Sequence, residues 1–189
     1  MPVARTHSIA LVGVEGHPVE IESDIENGLP ALLLVGLPDT ALREARDRIR
    51  AAIINSHEQW PQRRITVGLS PASLPKRGSG FDLGIALSIL TAAGAVPCAA
   101  IDGVTFLGEL GLDGRLRPVP GILPAVLATI GYGIGTVVAP GNRAKASIAA
   151  DVTVIAAGHL ADVASWLRGG PPPEPESPGP ADGSSPETE

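Results

Sequence analysis

The stretch from Arg64 to Leu87 constrains this chain more than any other. Ile65, Val67 and Leu69 alternate with smaller or polar residues, the period of a strand with one buried face. Pro71 and Pro75 end that strand, because neither has an N–H to donate to a ladder. Gly78-Ser79-Gly80 then lets the backbone turn tightly into an apolar helix that begins near Phe81 and Asp82. The first N–H groups of such a helix lack intrahelical partners and can hold an anion or an oxyanion. Taken alone, the segment reads more simply as a structural crossover whose glycines allow close packing.

The rest of the chain is read around this unit. Ser8 to Val14 and Val19 to Ile25 read as strands joined through Glu15-Gly16-His17-Pro18, and Ala31 to Val35 as a strand buried on both faces. Asp39 is placed to cap a helix from Thr40 to about Asn55, with Leu42, Ala45, Ile49, Ala52 and Ile53 on its core stripe. A buried helix is predicted over Phe81 to Ala93, closed by Gly94. Strands Thr105 to Leu110 and Arg115 to Val119 flank Asp113-Gly114, a hairpin signal. Helix Ile122–Ile130, strand Thr136–Ala139, helix Arg143–Ala150, strand Val152–Ala156 and helix Leu160–Arg168 complete an α/β (α+β) pattern whose second half is βαβα.

Beyond this point the composition changes. Seven of the 19 prolines lie between Pro171 and Pro186, among Gly, Ser and acids, with no aliphatic side chain larger than Ala181. Such a segment buries too little surface to offset its ordering entropy, so residues 1–168 are expected to fold and 169–189 to form a disordered linker or tail. Five of the 20 acidic residues also fall after Gly170; without them 15 acids face 14 basic residues, so net charge neither favours nor excludes a nucleic-acid partner. A lone cysteine, Cys98 in an apolar run, reads as a small buried hydrophobe in a reducing compartment. No signal peptide or membrane span is legible, and the expected location is cytoplasmic.

Four runs, Val35-Gly36-Leu37-Pro38-Asp39-Thr40-Ala41, Arg63-Arg64-Ile65-Thr66-Val67, Leu74-Pro75-Lys76-Arg77-Gly78-Ser79-Gly80-Phe81-Asp82-Leu83 and Leu107-Gly108-Glu109-Leu110, occur in one order. Together they resemble the Mg-chelatase-like AAA+ ATPases of the YifB/ComM type over roughly residues 5 to 168. The resemblance implies a fold like the Lon protease domain, a mixed sheet with packed helices, placed ahead of an ATPase module. It implies a motor, hexameric when joined to that module, acting on DNA in recombination and natural transformation. ATP and Mg are implied for the ATPase module, in cis or in trans, and no cofactor for this chain.

The chemistry-bearing residues agree with that division. A phosphate-binding P-loop needs Gly-Lys-Ser or Gly-Lys-Thr, and neither lysine, Lys76 or Lys145, follows a glycine. Lon-type peptidases use a serine nucleophile and a lysine base within hydrogen-bond reach. Their motifs, laid on this sequence, put the nucleophile position at Gly80 and the base position at Ala125, with Ser79 one residue early. At a helix start that slip turns a side chain by about 100°. The four histidines are scattered and lack metal-ligand spacing. Arg43, Arg46 and Arg50, with Arg48 beside them, crowd one helix, and Arg63, Arg64, Lys76 and Arg77 bracket the signature strand. These cations are the candidates for contact with DNA or an acidic partner. Interspersed Glu44 and Asp47 and the lack of an aromatic platform argue for a solvated, salt-bridged face instead. Gly78, Ser79, Gly80 and Asp82 are the signature-loop residues. The expected reading is a non-catalytic domain that organises or docks onto the motor; a Lon-like peptidase or peptide-binding module, and an accessory to a metal chelatase, are the alternatives.

Overall fold

The computed structural model describes residues 3–37 and 39–174, with backbone alone at 39, 41 and 42. Apolar alternation in the N-terminal half produces a long hairpin, β1 (Ala4–Val12) and β2 (Glu15–Glu26), joined by Gly13-Val14. This turn is tighter than the four-residue connection expected from the sequence. Strand β3 (Ala31–Val35) follows, then helix α1 (Asp39–Asn55) and strand β4 (Arg64–Ser70). Helix α2 (Asp82–Ala92) and the short α3 (Cys98–Ile101) lead to β5 (Val104–Leu107). A two-stranded hairpin of β6 (Glu109–Leu110) and β7 (Leu116–Arg117) stands apart from the main sheet. Helix α4 (Ile122–Leu127), strand β8 (Gly135–Val138), a 3-10 turn (Pro140–Asn142), helix α5 (Arg143–Ala146), strand β9 (Val154–Ala156) and helix α6 (Leu160–Leu167) complete the chain.

Seven strands form one mixed sheet in the order β3-β4-β2-β1-β5-β8-β9. Only β2 runs against the other six, since it pairs antiparallel with both β1 and β4 while the remaining pairs are parallel. Every residue of α2 is buried, because the helix lies between the sheet and α1. Gly84 permits this approach: a Cβ there would come within 2.8 Å of Ile21 Cδ1. Burying each of Leu83, Ile85, Leu87, Ile89 and Leu90 contributes about 1.5–3 kcal/mol, which makes α2 the anchor of the main core. A second core on the opposite face joins Ile9, Leu107 and Val138 to Ile122, Ala125 and Val126 of α4.

Several expectations need correction. Strand β3 is an edge, and its outward residues Leu33 and Val35 are exposed, so the continuous apolar run does not mean burial on both faces. Cys98 is exposed: the one-turn α3 reaches the core through Ile101, with Ala100 packed against its margin. Helices α4 and α5 are shorter than predicted, α4 giving way to a turn before Gly131 and α5 to one after Ala146. The side chains of the expected cap Asp39 and core residue Leu42 lie outside what the structure describes. Most of the tail, residues 175–189, also lies outside the described residues, whereas Pro171 to Glu174 runs without regular structure beside Asp162 and Ser165 of α6. No described helix is long and apolar enough to cross a membrane.

Candidate functional site

Three of the four sequence motifs converge on one end of the sheet, and backbone bonds explain why. Gly108 N–H donates to Gly80 O at 3.1 Å, and Leu83 N–H donates to Gly108 O at 3.2 Å. The signature loop and the Leu107-Gly108-Glu109-Leu110 run are therefore clasped together. Gly36, at φ +96°, lies against the end of β4: a Cβ there would stand 2.5 Å from Leu69 O, so only glycine fits.

Side chains extend the clasp. The Asp82 carboxylate, buried at the first turn of α2, accepts from Arg48 Nε at 2.8 Å, Arg48 Nη2 at 3.2 Å and Leu110 N at 3.2 Å. Burial pushes the Asp82 carboxyl above the usual carboxylate range, and the Arg48 guanidinium and the Leu110 N–H oppose that push without cancelling it. Arg48, more exposed than its partner, is held further towards its charged form by the hydrogen bond to Asp82. Ser79 Oγ donates to Glu109 Oε2, and Glu109 lies 3.9 Å from Arg117. The helix α1, the loop and the β6–β7 hairpin are thus tied by charge-assisted bonds around the start of α2.

Behind this clasp lies a cleft of about 380 Å³, lined by Ile9, Ala10 and Leu11 of β1, Leu107 of β5, Arg77 to Phe81, Val119, Pro120 and Ala125. It opens at the C-terminal ends of two adjacent parallel strands. Helix α2 covers one face there, where Thr6 Oγ1 donates to Gly84 O, and α4 covers the other, where Ile9 packs with Ile122 and Ala125. Such a reversal of crossover side is where open α/β sheets leave a crevice for ligands. Gly80 and Ala125, which the resemblance to Lon-type motifs lays on the nucleophile and base positions, both line this cleft. Neither carries a reactive group. Ser79 also borders it, but its hydroxyl is committed to the Glu109 carboxylate and not to a lysine amine.

The basic candidates do not form one surface. Arg63 and Arg64 are exposed at the start of β4, whereas Lys76 and Arg77 follow its end, roughly 20 Å away along a seven-residue strand. Arg43, Arg46 and Arg50 are exposed on α1, with Glu44 and Asp47 between them. Arg48 leaves that stripe for Asp82. Its position, beside Ile49 and three residues after Ala45, puts it on the border of the buried face, and a lone carboxylate inside the apolar run after Phe81 is the matching signal.

Lys76 departs most from the expectation of an exposed contact. It is 2% exposed, and its Nζ donates to Pro71 O at 2.5 Å and Leu74 O at 3.1 Å, folded under its own loop. Desolvation lowers its pKa. The ammonium acts as an internal brace, because the proline-rich loop has carbonyls but few N–H groups to pair with them. Arg77 alone projects from this pair. Accordingly, Lys76→Glu should destabilise the fold by about 1–3 kcal/mol, the cost of unpaired buried acceptors plus a buried carboxylate, while Arg77→Glu should stay within about 0.5 kcal/mol. Urea melts of the two variants check this, and a loss within about 0.5 kcal/mol for Lys76→Glu as well would place both side chains in solvent.

Asn142, which no sequence signal singles out, and His159, expected only as one of four scattered histidines, also shape the site. Asn142 takes both polar groups of Val119, donating from Nδ2 to its carbonyl at 2.9 Å and accepting its N–H at 2.8 Å, so one cleft wall is held rigid. His159 caps α6 by accepting Ala161 N–H on Nδ1, which leaves Nε2–H to donate to Asp113 O at 2.8 Å in the hairpin turn. No group of metal-ligating side chains occurs among the described residues.

A mixed, mostly parallel sheet with a cleft at the reversal of its crossovers defines a single α/β domain. Residues 21–143 match the family described as subunit ChlI of Mg-chelatase. The chain is 48% identical over 170 residues to an uncharacterized protein of Mycobacterium tuberculosis, across 89% of this chain and 34% of that protein. It is 40% identical over 169 residues to the competence protein ComM of Haemophilus influenzae, across 89% of this chain and 33% of ComM. The Lon protease of Xanthomonas oryzae is 28% identical over 154 residues, 77% of this chain and 18% of that enzyme. The chain belongs to the Mg-chelatase-like family of YifB and ComM. It spans about a third of the length of the first two relatives.

Proposed function

We propose that this chain is the non-catalytic, Lon-like N-terminal domain of a Mg-chelatase-like AAA+ ATPase, and that it organises or docks onto the ATPase module. One observation carries the reading: Gly80 and Ala125 share a single cleft in which a Lon-type serine and lysine would have to meet, and neither can do the chemistry. The sequence adds that no lysine follows a glycine, so the phosphate cradle of an ATPase belongs to another module. The likeness to a protein named for competence is in keeping with a role of the whole protein in DNA transformation; that it acts there and in recombination as a hexameric branch-migration or helicase motor is part of the proposal. Exposed Arg43, Arg46, Arg50, Arg63, Arg64 and Arg77 are the residues through which this domain would meet DNA or an acidic partner, in separate patches. DNA contact through any one patch should be weak, insensitive to sequence and reduced by salt.

The test uses the isolated chain. It should show no ATP binding by calorimetry, and no labelling of Ser79 by a serine-reactive phosphonate, with Ser79→Ala leaving any background unchanged. Labelling at Ser79 that Ser79→Ala abolishes would overturn the non-catalytic reading.

A further inference from the structure

Strands β1 and β5 pair at a single position, His7 with Thr105, and then diverge. Strand β1 continues to Val12, paired with β2 alone, while β5 turns away with β8 as its partner. Ser8 Oγ enters the gap and donates to Phe106 O at 2.9 Å, taking an acceptor that a continuous ladder would have used. Beyond it the edge of β1 at Ile9, Ala10 and Leu11 borders the 380 Å³ cleft. An edge whose main-chain groups lack a strand partner is a template for another strand.

We infer that this cleft binds an extended peptide segment of another protein, which adds to β1 as a strand, sets apolar side chains at alternate positions against Leu107, Val119 and Ala125, and places an acidic residue at Arg77. The size lies within the roughly 300–1,000 Å³ of small-ligand sites, enough for a few side chains rather than a folded surface. The lining is almost wholly apolar, and the one exposed charge among the lining residues is the Arg77 guanidinium. Asn142 already holds both backbone groups of Val119, so that wall offers shape, and β1 is the side left to offer a ladder. The chain's own segment 169–189 is acidic but has no aliphatic side chain larger than Ala181, so it lacks the anchors this lining would bury. A segment from a different polypeptide supplies both.

This inference rests on the non-catalytic reading above, since a captured strand is retained only where it is not cut. Gly80 provides the decisive variant. Its backbone is not in the left-handed region, and an added Cβ would meet only Val119 Cγ1, at 3.7 Å, so Gly80→Leu fills the cleft without straining the loop. The probe is a fluorescein-labelled Thr-Val-Asp-Val-Thr-Val peptide, titrated by anisotropy with the whole 189-residue chain at low salt. Saturable binding is expected, weakened at least about tenfold by Gly80→Leu, as for loss of an apolar anchor pocket, and weakened by Arg77→Glu with a smaller dependence on salt. A probe N-methylated on alternate amides should lose binding, because strand addition needs its N–H groups. Thermal melts of both variants at the wild-type temperature exclude misfolding. No saturable binding, or equal affinity of Gly80→Leu and the parent, overturns the inference. Mass spectrometry of the bound probe separates the two claims: cleavage would overturn the non-catalytic reading and leave binding at the cleft standing.

Discussion

Arg48→Ala should destabilise the domain by about 3 kcal/mol at pH 7, the range expected when one partner of a buried ion pair is removed. The Asp82 carboxylate stays buried at the first turn of α2, with the Leu110 N–H as its remaining partner. Its pKa in the folded protein is raised by burial, whereas in the unfolded chain it returns to about 3.9. A carboxyl with a raised folded pKa binds its proton more tightly in the native state. Its ionisation therefore costs nothing below the unfolded value and progressively more as pH climbs through the folded value. In the parent, Arg48 offsets part of that cost; in Arg48→Ala nothing of its kind does. The loss relative to the parent should be largest at neutral pH and should shrink below about pH 4, where Asp82 is protonated in both states. Asp82→Asn, which removes the charge while keeping an acceptor for Leu110 N–H, should cost less than Arg48→Ala at pH 7. Denaturant melts at pH 4 and pH 7 decide the matter, and a difference independent of pH would mean that Asp82 is not the group left stranded.

This pair also illustrates what was legible in the sequence. Period-2 and period-3.6 patterns located β1, β2, β4, α1 and α6 because each of these buries one face against a large neighbour, whereas α2, buried all round, was marked by its nearly continuous apolar run. The patterns failed where burial does not track periodicity. Strand β3 is apolar throughout yet lies at an edge, and Cys98 sits in an apolar run but on one exposed turn. Charge was the least legible property. Lys76 and Arg77 are adjacent and look alike in the sequence, but the Lys76 ammonium folds back onto the Pro71 and Leu74 carbonyls while its neighbour is left exposed. Arg48 and Asp82 lie 34 residues apart, and no local rule pairs them. Motif order was informative for a different reason. The glycines at 36, 80 and 108 mark points where backbones touch, and motifs joined by such contacts must be present together.

The double variant Gly80→Ser/Ala125→Lys should convert the inert cleft into one that reacts with a serine-directed fluorophosphonate. Both positions line the same cleft, and the space beyond Gly80 is open to a side chain, the nearest atom to an added Cβ being Val119 Cγ1 at 3.7 Å. A lysine side chain entering from Ala125 meets an apolar lining, and desolvation there lowers an amine's pKa towards the neutral form that can act as a base. General-base assistance is worth about 10²–10⁴ in rate, so the double variant should label at least about a hundredfold faster than Gly80→Ser alone. Ala125→Lys by itself should not label, because Ser79 remains bonded to Glu109 and off the attack line. Equal labelling of Gly80→Ser and the double variant, with both folded, would show that positions 80 and 125 do not face each other as a nucleophile and base require. Labelling confined to the double variant would mean that the scaffold holds the geometry of a serine–lysine site and lacks only its two side chains.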